Sequence, residues 1–298
     1  MELMDPRRLE LLLELSRLGS MREVAEVMNV TTSTVSQQIA VLAREAGTPL
    51  VEPDGRRVQL TPAGRRLADH AVTILAALDA ARADLDPSAT PSGTLRVAAF
   101  ATAVRRSLLP VVRTLDEDHP DVRLLVHEHE PAEALALLAA DDVDLALTYD
   151  YNLAPATFDA AVRAVPLWST AWRLGVPAGS RRARGDALAV FAGFRDHDWI
   201  VNSRNTADED VVRTVASLAG FAPRITHRVD SLDLVQDMIV AGLGVGLLPA
   251  GQPPVRGVST RPLTGPDVLL RAYAVTRRGW ERWPPLALVL GLLGVRPG

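Results

Sequence analysis

The chain has 298 residues, 48% hydrophobic and 23% charged, with a formal charge of −4. That length suits two modest domains, or one with an appendage, and the composition excludes long disorder, collagen and a fibrous coil. Cysteine is absent and all 32 basic residues are arginine, so the chain offers no disulfide framework, no thiolate nucleophile and no cysteine-ligated zinc. Nor does a global basic field point to nucleic acid.

The first residues, Met1 to Pro6, are acidic before they are apolar, unlike a signal peptide. The most apolar stretches, 240–249 and 286–295, fall short of the roughly 20 residues of a membrane span. A cytoplasmic chain without a membrane partner is expected.

Residues 1–61 read as short helices with a turn-rich tail. Leu9, Leu12, Leu13 and Leu15 give the first an apolar face, which Gly19-Ser20 ends. Ser20 caps a second, with Glu23 three residues on, and Asn29 stops it. Thr31 or Thr32 caps a third that runs to about Ala46, and the tight joint between the last two is a helix-turn-helix arrangement. At about 100° per residue, Val35, Ile39 and Leu42 share the core face of the third helix, leaving Ser33, Gln37 and Arg44 opposite and Thr34 and Ser36 on the flanks. A small polar face at a helix N-terminus can enter a major groove; the plainer reading is an ordinary solvated face. Asp54-Gly55 between short apolar runs predicts a hairpin, and Arg56 and Arg57 beside its tip make it a basic wing facing phosphate or minor groove.

Residues 62–92 begin with Thr61 as cap and Pro62 at the first helical position. Leu67, Ala71, Ile74, Leu78, Ala81 and Leu85 then repeat at four-three spacing, a coiled-coil seam that predicts pairing with a second copy. A Pro/Ser/Gly linker, residues 86–93, ends the helix. Beyond it strands and helices alternate, which predicts an α/β domain over residues 93–298.

Taken in order, these runs resemble the LysR-type transcriptional regulators. The matching residues are Gly19-Ser20 with Val24-Ala25, Val35-Ser36 with Gln38-Ile39 and Leu42, Gly47 with Pro49-Leu50, and Leu60-Thr61-Pro62-Ala63-Gly64. Far downstream, Ala219-Gly220-Phe221 with Pro223 precedes the run from Val240 to Pro249. The resemblance implies an α+β multidomain fold: a winged helix-turn-helix, a long dimerisation helix, and a two-lobe α/β effector domain like type 2 periplasmic binding proteins. Lobe one is expected over 93–164 and 265–298 and lobe two over 165–264, with the crossing near Val165. It implies a DNA-binding regulator that is not an enzyme and needs no cofactor. Its partners would be double-stranded DNA, a small-molecule effector, further copies of itself as dimer and tetramer, and RNA polymerase. Thr31, Thr32, Ser33, Thr34, Ser36, Gln37, Arg56 and Arg57 are then the DNA-contacting candidates.

Ligands of open α/β sheets bind beyond the carboxyl ends of strands, where helix N-termini offer N–H groups. That rule selects Ala101, Thr102, Ala103, His129, Tyr149, Asn202, Ser203 and Asp230 as effector contacts, and a small polar or anionic metabolite as ligand. Asp230 equally serves as a plain helix-capping residue. His127 and His129 alternate on a strand without a third ligand at a telling interval, so no metal is expected. Gly242, Gly244 and Gly246 run helix to strand, the reverse of a dinucleotide fingerprint, and are read as a tight turn with close packing. The five tryptophans are assigned to packing.

The chain departs from the family where it reads Leu50-Val51-Glu52-Pro53, losing an apolar anchor and a basic residue, and where Gln37, Ala40 and Val41 replace basic positions. Residues 1–66 hold nine Arg against nine Asp plus Glu, so the phosphate term is weak. The alternative reading is a small-molecule binding protein on the same fold that has lost DNA binding.

Overall fold

The computed structural model describes residues 4–54, 57–85, 90–180 and 185–295. Each of the first three helices starts on a side chain that accepts from its own first turn. Asp5 accepts from Arg7 N–H at 2.9 Å at the head of α1 (Pro6–Leu18), and Ser20 accepts from Glu23 N–H for α2 (Met21–Val27). Thr31 accepts from Thr34 N–H at 3.1 Å for α3 (Thr32–Glu45). Asn29, at φ 52°, supplies the left-handed residue of the tight joint. Leu9, Leu12, Val24, Val35, Ile39 and Leu42 close a small core. The strands β1 (Val51–Asp54) and β2 (Arg57–Leu60) pair antiparallel as the expected hairpin.

Thr61 starts α4 (Pro62–Leu85): its hydroxyl accepts from Gly64 N–H at 3.0 Å and donates to the Pro49 carbonyl at 2.7 Å. Only glycine fits at 64, where a Cβ would stand 2.0 Å from the Leu50 carbonyl oxygen. The helix is no free rod. Its stripe Ala68, Ala71, Val72, Leu75 and Ala76 is buried within the chain, against α1 on one side and the C-terminal segment on the other. This divides the expected dimer seam. Ala71 is buried inside the chain and Leu67 half-buried against the core, whereas Ile74 is 40% and Leu85 85% exposed, with Ala81 exposed and Leu78 half-buried beside them.

The second domain begins with β3 (Gly93–Ala99) and a helical run of α5 (Ala101–Ala103), a π turn (Val104–Leu108) and α6 (Leu109–Asp118). Then come β4 (Val122–Glu128), α7 (Pro131–Ala139), β5 (Leu145–Tyr151) and β6 (Val162–Pro177). Next are α8 (Ala187–Ala192), β7 (Asp198–Val201), α9 (Ala207–Leu218), β8 (Arg224–Arg228) and α10 (Leu232–Val240). The chain closes with β9 (Val245–Pro249), β10 (Val258–Pro262), β11 (Leu269–Arg277), a 3₁₀ turn (Trp280–Arg282) and α11 (Pro284–Leu292). The strand order is β4-β3-β5-β11-β6-β9-β7-β8, with β10 also on β6.

The long strand β6 belongs to both lobes. Its first part pairs with β11 in lobe one, and from Trp172 onward it pairs with β9 and β10 in lobe two. The partner change therefore falls at Ala171/Trp172, later than the expected crossing near Val165. Pro166 is accommodated at a register shift: Trp168 faces Ala272 and Pro166 faces Tyr273, leaving Leu167 as an extra, bulged residue. At the turn into β9, a Cβ on Gly244 would stand 2.6 Å from the Asp198 carbonyl oxygen, so this glycine serves close strand packing.

The head docks on lobe one through an arginine–aspartate cluster. Arg17 of α1 donates to Asp141 at 2.8 Å, Asp141 also meets Arg277 at 2.5 Å, and Asp144 holds Arg96 at 2.8 Å. Among the described residues no helix is long and apolar enough to cross a membrane.

Candidate DNA-reading face and effector cleft

The α3 helix turns Val35, Ile39 and Leu42 fully inward, so its opposite face is fixed by geometry. Ser33, Ser36, Gln37, Ala40 and Arg44 are exposed there, and Thr32 lies exposed in the first turn. Thr31 and Thr34 are engaged in the cap itself: the Thr31 hydroxyl stands 2.8 Å from both the Ser33 and the Thr34 hydroxyls. Gln38, next to the reading face, is held by Arg8, whose Nε donates to it at 2.9 Å while its Nη1 pairs with Glu45. Arg56 lies outside the described residues, and Arg57 is described only in its backbone, opposite Asp54 in the hairpin register.

Between the lobes, at the carboxyl ends of β3, β4, β5, β7 and β8, lies a cleft of about 370 Å³. Of the eight residues selected from sequence, Ala101, Thr102, Tyr149, Asn202 and Asp230 line it. The other three do not. Ala103 is fully buried, His129 turns toward Glu133 (Nδ1 to Oε2 3.4 Å), and Ser203 is exposed, its N–H donating to Asp230 at 2.9 Å. Among the described residues no three metal-ligating side chains stand together.

Apart from Asp230, the sequence reading missed the carboxylates of the cleft, and one tryptophan. Glu130, Asp208 and Trp172 all face this cleft. Glu130 is the N-cap of α7 and 5% exposed; Tyr149 OH donates to it at 2.9 Å, and Asn205 also donates. Asp208 sits in the first turn of α9 and accepts from Tyr151 OH at 2.7 Å. A carboxylate at a helix N-terminus is electrostatically favoured, which explains both positions. Burial nevertheless pushes the Asp208 carboxyl up to about 7, Glu130 and Asp230 adding to the rise and the Tyr151 bond opposing it. Burial likewise raises Glu130 against the Tyr149 bond, and holds the hydroxyls of Tyr149 and Tyr151 well above the ordinary tyrosine range. Burial also pushes Asp230 upward, but bonds from Ser203 and Arg204 outweigh it and leave this carboxyl below its usual value. An aromatic wall, Phe100–Tyr149 at 4.6 Å, Tyr149–Tyr151 at 6.3 Å and Tyr151–Trp172 at 5.7 Å between ring centres, backs these groups. The signal for Asp208 was present in sequence as the acidic first turn Asp208-Glu209-Asp210 just after Asn202.

Comparison with known proteins matches both domains. Residues 6–65 fit the family model described as "Bacterial regulatory helix-turn-helix protein, lysR family", and residues 88–294 fit "LysR substrate binding domain". A probable hydrogen peroxide-inducible genes activator of Mycobacterium avium is 31% identical over 244 residues, covering 80% of this chain and 75% of the relative. The fold resembles that of a full-length OxyR variant from Pseudomonas aeruginosa, with a TM-score of 0.73, 18% identity, and coverage of 99% of this chain and 95% of that one. Full-length CbnR, solved in complex with its target DNA, superposes with a TM-score of 0.53 at 20% identity, covering 98% of this chain and 99% of that one.

Proposed function

The chain belongs to the LysR family of bacterial transcriptional regulators, and from that premise we propose how it acts. The α3 helix reads an operator in the major groove, and a small molecule held between the two α/β lobes alters that binding. The observation that carries the reading is the outward face of α3, where Ser36 and Gln37 stand exposed beside a helix N-terminus and Ser33 is exposed with its hydroxyl on Thr31. Gln37 has the two-point geometry that bonds adenine N6 and N7, while Thr32 and Ser36 suit phosphate. CbnR, which shares the fold, is a precedent for a bound operator. The peroxide response named for the Mycobacterium avium relative does not pass to this chain through a thiol, because it has no cysteine.

The protein works as a homo-oligomer in the cytoplasm, a dimer through the outer face of α4 and a tetramer through further contacts, and it engages RNA polymerase when it regulates. It is a sensor rather than an enzyme and needs no cofactor. The direct test is a competition assay over randomised operators. Gln37→Ala should cost about 1–3 kcal/mol at one base position and relax specificity there. An unchanged preferred sequence would move the reading face elsewhere on the head.

A further inference from the structure

Sequence logic for such a cleft favours an anion, since helix N-termini converge on it. In this chain the protein's own carboxylates already fill those ends: Glu130 at α7 and Asp208 at α9. The lining as a whole carries Glu128, Glu130, Asp208, Asp230 and Asp233 against Arg105 and Arg204. Arg204 pairs with other carboxylates, 3.2 Å from Asp230 and 3.4 Å from both Glu128 and Glu133, which leaves Glu130, Asp208 and Asp233 against Arg105. Among the described residues no arginine or histidine lies within 4.0 Å of a carboxylate oxygen of Glu130 or Asp208, as the ion pairs show.

The neutral groups around the two carboxylates point the same way. Tyr149 and Tyr151 use their hydroxyl protons on Glu130 and Asp208, at 2.9 and 2.7 Å. The Tyr149 oxygen already accepts from Asn202 and Asn205, at 3.3 and 3.0 Å, so the open acceptors are the remaining carboxylate lone pairs, which ask for a donor. A separate observation marks the cleft as built for a ligand. Trp172 is 6% exposed and lines this cavity, and its indole N–H has no acceptor.

We propose that the cleft binds a small organic cation, seating a protonated amine between Glu130 and Asp208 and offering a hydroxyl or carboxylate oxygen to the Trp172 N–H. The aromatic faces of Phe100 and Tyr149 beside these groups add a cation–π wall. This rests on the reading of the cleft as the effector site and names the ligand's charge class.

The test uses full-length protein freed of bound small molecules and a matched probe series followed by calorimetry: aminopentanol, hydroxypentanoate and the neutral pentanediol. The amine should bind at least about tenfold tighter than the other two, and Glu130→Gln and Asp208→Asn should each remove about tenfold of that affinity. The wild-type comparison needs no variant to fold, and circular dichroism checks the variants. Tighter binding of hydroxypentanoate, or no binding of the amine, overturns the proposal. The two failures are distinguishable: the first leaves a ligand-binding cleft of opposite preference, whereas silence of the whole series, with operator affinity unchanged by any probe, removes the effector reading as well.

Discussion

Asp208 is a carboxyl whose proton affinity the fold raises, from 3.8 to about 7, because it is buried with Glu130 and Asp230 nearby. Between those two values the native state keeps a proton that the unfolded chain has released. Its contribution to stability therefore falls as pH rises through that window and is constant above it. Asp208→Asn keeps an acceptor for Tyr151 and removes the charge. It should flatten that part of the stability profile and stabilise the protein by about 1–2 kcal/mol above neutral pH, while weakening ligand binding. Denaturant unfolding across the pH range checks this, and an unchanged slope would contradict it. Legibility at this scale was partial. Tyr149, Asn202 and Asp230 follow from strand ends alone, because any open sheet aims those positions at its crevice. Glu130 and Asp208 do not, since a carboxylate in a helix's first turn faces solvent as readily as a cleft, and only the docking of the two lobes decides.

At the scale of elements, α4 carries two apolar faces, and they make different predictions. Ile74 and Leu78 lie on the outer side, while Ala71 is buried among the chain's own side chains. Ile74→Asp with Leu78→Asp should separate the oligomer and leave the helical content of each chain intact. Ala71→Asp should instead cost more than about 3 kcal/mol by burying an unpaired charge. Sedimentation and circular dichroism on the same samples distinguish the two; equal effects would mean the helix has one face only. The four-three repeat drew one seam through both faces, joining the inward Leu67 and Ala71 to the outward Ile74 and Leu85, and the small residues Ala68 and Ala76 of the inner stripe gain weight only once α1 and α11 press on them. The bulge of β6 was not legible in sequence. Pro166 breaks the pattern locally, and the bulge that absorbs it depends on β11, about a hundred residues further along the chain.

At the scale of the whole molecule, one hydrophobic cluster runs from the head through lobe one into lobe two, and Arg17 on Asp141 pins the head to lobe one. Asp141 is held at φ 64°, a conformation that asparagine tolerates, so Asp141→Asn removes the charge without disturbing the turn. Arg17→Ala leaves Asp141 with Arg277 and should cost about 1–3 kcal/mol, whereas Asp141→Asn takes the shared partner from the mostly buried Arg17 and Arg277 and should cost about 3–5 kcal/mol. A separate effect should fall on coupling. Hydrogen exchange in α1 should quicken and the ligand's influence on operator affinity should shrink, a change in communication rather than in either binding step. Undiminished coupling in both variants would assign the signal to α4 alone.

The central claim, a DNA-reading head governed by a ligand-binding second domain, is tested most directly by sequencing the genomic fragments that the purified protein retains. The account predicts enrichment of a few sites, each with two half-sites related by two-fold symmetry, whose occupancy changes when the cleft's ligand is added. Retention of no fragments, or of fragments without a shared motif at low salt, would contradict it.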